Sequence, residues 1–224
     1  MLELLRKILF VIQRRPVQIF GLMGQYWRFF RTRWIHRLLP VTRAGVTMGR
    51  NVRVQAVSCL SAERPKASIS LGEDSVIYEF ARIEAYGNGI ICIGDGCILG
   101  DVRISSRSAI TLGNRVVTSW NVFIQDFDPH PVDPVLRGIQ MTRMTTQFRP
   151  YYGHARPAPD LVWDFPADPI VIGNDVWLGA NVTILKGARI GAGSIVATGA
   201  VVPAGEYPPR SIIAGVPAKV IKTI

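Results

Sequence analysis

Residues 172–202 read IGNDVWLGANVTILKGARIGAGSIVATGAVV, and together with the next five residues they divide into six hexads. The first position of each hexad is aliphatic: Ile172, Leu178, Ile184, Ile190, Val196 and Val202. The fourth is a turn former, Asp175 or Asn181 and then Gly187, Gly193, Gly199 and Gly205. The fifth is mostly small, as in Val176, Val182, Ala188, Ser194 and Ala200. A period of six matches neither the 3.6 of a helix nor the alternation of a simple strand. It matches a solenoid in which each hexad supplies one short strand and one corner. The aliphatic side chain points into a prism and stacks on its counterpart in the next coil. The small residue fits where the interior narrows, and Gly, Asn or Asp supplies the left-handed backbone conformation of the corner. Three hexads then close one triangular coil.

The same grammar recurs upstream. LGEDSVIYEFARIEAYGN begins at Leu71, IGDGCILGDVRI at Ile93 and LGNRVVTSWNVFIQDFDP at Leu112, with steps of 22 and 19 between starts. These steps are one coil plus small corner insertions, and VTMGRNV at Val46 opens the prism. The expected fold is therefore mainly β, a parallel solenoid over 46–224 that ends in a tail at 208–224. The rhythm stops in QDFDPHPVDP, residues 125–134, and resumes only at Ile172. The interval 127–169 is rich in proline and aromatics (FRPYYGHARPAPDLVWDFPADP) and has no period of its own. It is expected as an extended loop. Loops of that length commonly carry function, and the alternative is a tolerated insertion.

A chain of 224 residues, 48% apolar and 19% charged, has room for one sizeable core with an appendage. Cys59, Cys92 and Cys97 form no CxxC pair and no even framework, which excludes a disulfide scaffold and a cysteine zinc site. The net charge of +10 is localised, since residues 1–50 hold ten Arg or Lys against Glu3 alone. Within residues 1–45, LELLRKILFVIQRR places Leu2, Leu5, Ile8, Leu9 and Ile12 on one helical face, and Pro16 ends that helix. A second basic, aromatic stretch runs to Pro40. Neither reaches the roughly 18 to 20 uncharged residues of a membrane span, and no small-residue cleavage site follows an apolar run. This extension reads either as an interfacial helix pair, with residues 1–40 touching anionic lipid, or as a helical cap on the prism. No nucleic-acid-binding motif accompanies the charge.

The hexad run and the closing SIIAGVPAKVIK resemble the hexapeptide-repeat acyltransferases, whose fold is a left-handed parallel β-helix, an exception to the usual crossover hand. The resemblance covers residues 46–224. The first forty-odd residues look like the extension of members that modify cell-surface polysaccharides. Galactoside and maltose acetyltransferases carry a His-Pro pair shortly after such a run, and LGNRVVTSWNVFIQDFDPHP matches that arrangement with one extra residue before His130. The resemblance thus implies His130 as general base. A sugar hydroxyl is a poor nucleophile at neutral pH, and an imidazole, with an ordinary pKa of about 6.5, can take its proton during attack on a thioester. The plain alternative is a surface histidine held by its prolines. His154 is the main competitor, and His36 belongs to the basic segment. Asp126, Asp128 or Asp133 could steady the imidazole, each with a turn role as the alternative. Asn121, Asp126, Asp128 and His154 are the candidates for the acceptor side, and Asn121 reads equally as a corner residue.

On the donor side, the resemblance implies acetyl-coenzyme A bound along the last coils between subunits of a homotrimer. That places Trp177, Ala180 and Thr198 along the pantetheine arm, with Lys219 or Lys222 at the phosphates. Relatives often have Thr-Lys where this chain has Pro203 and Ala204, so either one expected phosphate contact is missing or Arg210 replaces it. The implied reaction is O-acetylation of a sugar in a lipopolysaccharide, capsule or exopolysaccharide pathway, in the cytoplasm or at the inner membrane, without a metal. An amine acceptor is the neighbouring reading, and a non-catalytic scaffold the remote one. The zinc-dependent carbonic-anhydrase-like β-helices need three histidine ligands on coil faces, and none of the three histidines here lies in a clear repeat.

Overall fold

A prism of stacked hexads requires its aliphatic columns to align from coil to coil, and a computed structural model of the chain shows that alignment. The structure describes residues 45–147, 150–151, 154–155 and 166–224. The extension expected over 1–45 and its membrane contact lie, Gly45 apart, outside the described residues.

Three parallel sheets form the faces of the prism. The first runs in seven strands from Val46–Met48 to Gly205–Tyr207, and the third in six from Leu60–Ala62 to Val201–Val202. The second runs in eight from Arg53–Val54 through Ser211–Gly215 to Ala218–Thr223, where the last pair is antiparallel. The stretch 208–224, expected as a tail, is thus the last coil of this face plus a closing hairpin. Met48, Leu71, Ile93, Leu112, Ile172 and Ile190 stand side by side on the first face, so the coil starts read at Leu71, Ile93, Leu112 and Ile172 fall in one column. On the third face Leu60, Ile83, Ile104, Ile124, Ile184 and Val202 form a second column, each fully buried. Burying one such side chain contributes about 2 kcal/mol relative to leaving it in water.

The corners follow the turn formers. Asp175, Asn181, Gly187, Gly193 and Gly199 have φ of 58°, 56°, 78°, 68° and 76°, conformations that Asn, Asp and Gly tolerate best. Beside one corner a side-chain ladder satisfies backbone donors that the strands leave free. Asp95 Oδ1 accepts from Glu73 N–H at 2.7 Å, Asn114 Oδ1 from Asp95 N–H at 2.9 Å and Asn174 Oδ1 from Asn114 N–H at 2.8 Å.

The break in the rhythm does not shift the register. Ile110 pairs with Ile170, Val117 with Trp177 and Phe123 with Thr183, always 60 residues apart. A coil here is 18 residues, as between Ile172 and Ile190, so the insertion adds the difference of 42. Its ends are clasped: Phe127 bridges Ala167, Asp128 N–H donates to Pro166 O at 2.9 Å and Asp168 N–H to Asp126 O at 2.9 Å. Contrary to the expected loop, the insertion contains a helix, α1, over Pro134–Gln147. Asp133 caps it, Oδ1 accepting from Leu136 N–H at 2.8 Å, and Pro134 occupies the first helical position where no N–H is needed. A short antiparallel pair, Pro150–Tyr151 with His154–Ala155, follows.

Candidate active site

The site begins where the third face ends. Asp126 is completely buried, and its carboxylate accepts Ser106 Oγ–H at 2.6 Å, Arg107 N–H at 2.8 Å and Ser108 N–H at 3.1 Å. The Arg107 guanidinium lies 5.4 Å from the centre of the Tyr86 ring and 5.3 Å from that of Phe127, the first aromatic of the insertion. Burial pulls the pKa of Arg107 down, and burial followed by the Glu84 charge pushes Tyr86 up to about 12. Asp128 pairs with Lys186 of the next coil. These contacts anchor the start of the insertion that carries His130.

His130 is exposed, and its Nδ1 lies 2.8 Å from Oε1 of Gln140 on α1. Gln140 is buried at 3% exposure, and its Nε2–H donates to Pro129 O at 3.2 Å. The three aspartates considered as partners of the imidazole are engaged elsewhere. Asp126 is enclosed by residues 106–108; Asp128 is paired with Lys186, and Asp133 caps α1. Gln140 is absent from the candidates that the sequence suggests, although Asp133-Pro134 is a helix-start signal that places it on a helix. His154 sits opposite Tyr151 in the hairpin of the insertion. Asn121 is a corner residue, with φ of 53° and its Nδ2–H donating to Asn181 Oδ1 at 2.8 Å.

The donor-side candidates come together on the second face. Val117, Trp177, Ile195, Ile212 and Lys222 are neighbours in one outward column, with Trp177 Nε1–H donating to Ser119 Oγ at 3.3 Å. The adjoining column holds Ser119, Gly179, Ala197 and Ala214, with Lys219 across from Ala214. Ala180 and Thr198 precede the corners Asn181 and Gly199, and Gly199 N–H donates to Ala180 O at 2.9 Å. A lane floored by small side chains therefore runs between these columns toward the two lysines. Arg210 is occupied, its Nε–H donating to Ile224 O at 2.6 Å. Among the described residues no group of three His, Cys, Asp or Glu side chains is placed to hold a metal ion.

Comparison with known proteins specifies the class to which this β-solenoid of hexads belongs. Residues 169–204 match the family model described as bacterial transferase hexapeptide (six repeats). WbbJ of Escherichia coli K12, assigned to lipopolysaccharide biosynthesis as an O-acetyl transferase, is 32% identical over 179 residues, 77% of this chain and 80% of that one. The chain belongs to the hexapeptide-repeat transferases, and it is an acyltransferase of that family. An acetyltransferase of Mycobacterium tuberculosis is 29% identical over 88% of this chain, which spans 56% of that protein's length. The N-acyltransferase AntD of Bacillus cereus, solved with dTDP and 3-hydroxybutyryl-CoA, shares the fold with a TM-score of 0.56 at 17% identity, over 79% of this chain and 82% of that one.

Proposed function

We propose that the protein transfers an acetyl group from acetyl-coenzyme A to a hydroxyl of a sugar in a cell-surface polysaccharide or lipopolysaccharide precursor, with His130 as general base. The observation that carries this reading is the exposed imidazole of His130, anchored through Nδ1 by Gln140 at the exit of a hexad coil. His130 Nε2 takes the proton of the acceptor hydroxyl as its oxygen attacks the thioester carbonyl. The new C–O bond forms, the C–S bond breaks, and the proton passes to the departing thiolate. Trp177, Ala180 and Thr198 line the pantetheine arm, where the small floor lets it lie close to backbone, and Lys219 or Lys222 meets the phosphates.

A homotrimer, with each site shared between two subunits, accords with the apolar outer column of the second face. The described residues contain no helix long and apolar enough to cross a membrane. A cytoplasmic enzyme held at the inner membrane by residues 1–40 would meet lipid-linked sugars there. The sugar acceptor follows the E. coli relative that the chain matches over most of its length.

The test is coenzyme A release measured against nucleotide sugars, lipid-linked sugars and amino sugars. His130→Ala should lower kcat by about 10²- to 10⁴-fold on the true acceptor, the usual contribution of a general base. Wild-type turnover in that variant removes His130 from the mechanism, and turnover on amino sugars alone makes the acceptor an amine.

A further inference from the structure

Helix α1 has an unusual relation to the rest of the fold. From Pro134 to Thr146 every side chain is exposed except one, Gln140. Val135, Leu136, Ile139, Met141 and Met144 all face water in the single chain, so burial of an apolar stripe does not hold this helix in place. Among the described residues its one buried side chain, Gln140, makes a pair of hydrogen bonds to the segment that bears the histidine.

Those two bonds determine the orientation of the amide and, through it, the protonation of the ring. The carbonyl of Pro129 can only accept, so the nitrogen of the Gln140 amide must face it. The oxygen, Oε1, then faces His130 Nδ1 at 2.8 Å, and Oε1 also only accepts. Nδ1 must carry the hydrogen. A neutral imidazole has one N–H, so its Nε2 presents a lone pair. In the opposite tautomer Nε2 already holds a proton and cannot take another from the acceptor.

We infer that Gln140 is a positioning residue that locks His130 in the Nδ1–H tautomer and aims Nε2 outward as the basic nitrogen. The inference rests on His130 being the base. The charged groups on the same segment are otherwise engaged: Asp128 with Lys186, Asp133 with the helix start, and Arg137 with the carbonyls of Pro131 and Val132 at 3.0 and 2.9 Å. Gln140 supplies the directional contact without adding a charge beside the ring.

The experiment is imidazole ¹⁵N NMR on the full chain, combined with steady-state kinetics. In the wild type, neutral His130 should show a protonated Nδ1 and a pyridine-like Nε2. In Gln140→Leu the signals should move toward the Nε2–H form, and kcat should fall about 10- to 100-fold with KM little changed. Gln140→Glu keeps an acceptor at Nδ1, so it should retain the tautomer. Its carboxylate favours the imidazolium, which moves the acid limb of the kcat/KM profile to higher pH. A wild-type His130 protonated on Nε2, or an unchanged tautomer in Gln140→Leu, overturns the positioning role. Wild-type turnover in His130→Ala, with the tautomer shift still present in Gln140→Leu, overturns the base reading alone.

Discussion

Asp126 and Gln140 lie on either side of His130 in sequence and do opposite kinds of work. Asp126 is a fully buried carboxylate satisfied by one hydroxyl and two backbone N–H groups from residues 106–108. Asp126→Ala removes the acceptor of the Arg107 and Ser108 N–H groups and leaves the Ser106 hydroxyl only Ile90 O, at 3.4 Å. It should cost about 3 kcal/mol of stability, read as a lower denaturant midpoint with an unchanged slope. A change under about 0.5 kcal/mol would mean that water replaces the carboxylate. The sequence places three aspartates and a histidine within ten residues but does not separate their roles. Asp126 is defined by contacts 18 to 20 residues back, on the preceding coil, which no local pattern reveals. The corner residues are legible for the opposite reason: positive φ is a property of the single residue, and Asp175, Asn181 and the glycines declare it directly.

The strands and the insertion differ in how much they disclose. Aliphatic columns repeat because every coil faces the same interior, so the starts at Leu71, Ile93, Leu112 and Ile172 align on their residue pattern alone. Helix α1 has no buried stripe, and without one a helix leaves no period to read. The constant offset of 60 across the insertion means that the coils on either side stack as if it were absent. Phe127 and Ala167 are already paired, so a short Asn-Gly turn can join them in place of residues 128–166. That variant should keep the β circular dichroism and a cooperative unfolding transition while losing all turnover with His130. A loss of cooperative folding would show that the insertion holds the two stacks of coils together.

Across the whole molecule, the second face presents Val76, Ile98, Val117, Trp177, Ile195 and Ile212 in one outward column. Apolar surface of that extent seldom stays open to water. In the proposed homotrimer it is the natural contact between copies. Ile98→Asp should therefore convert a trimer, measured by light scattering, into monomers with the same β spectrum. A wild-type chain that is monomeric at micromolar concentration refutes the assembly. The same face also carries a metric. From Trp177 to Lys222 there are three strand steps, each about 4.8 Å, or about 14 Å in all. Because a coil can be added or removed only whole, that span can change only in increments of one strand spacing. The solenoid is thus a graduated ruler, and in the proposed donor site the distance from Trp177 to the closing lysines is counted in strands rather than adjusted residue by residue.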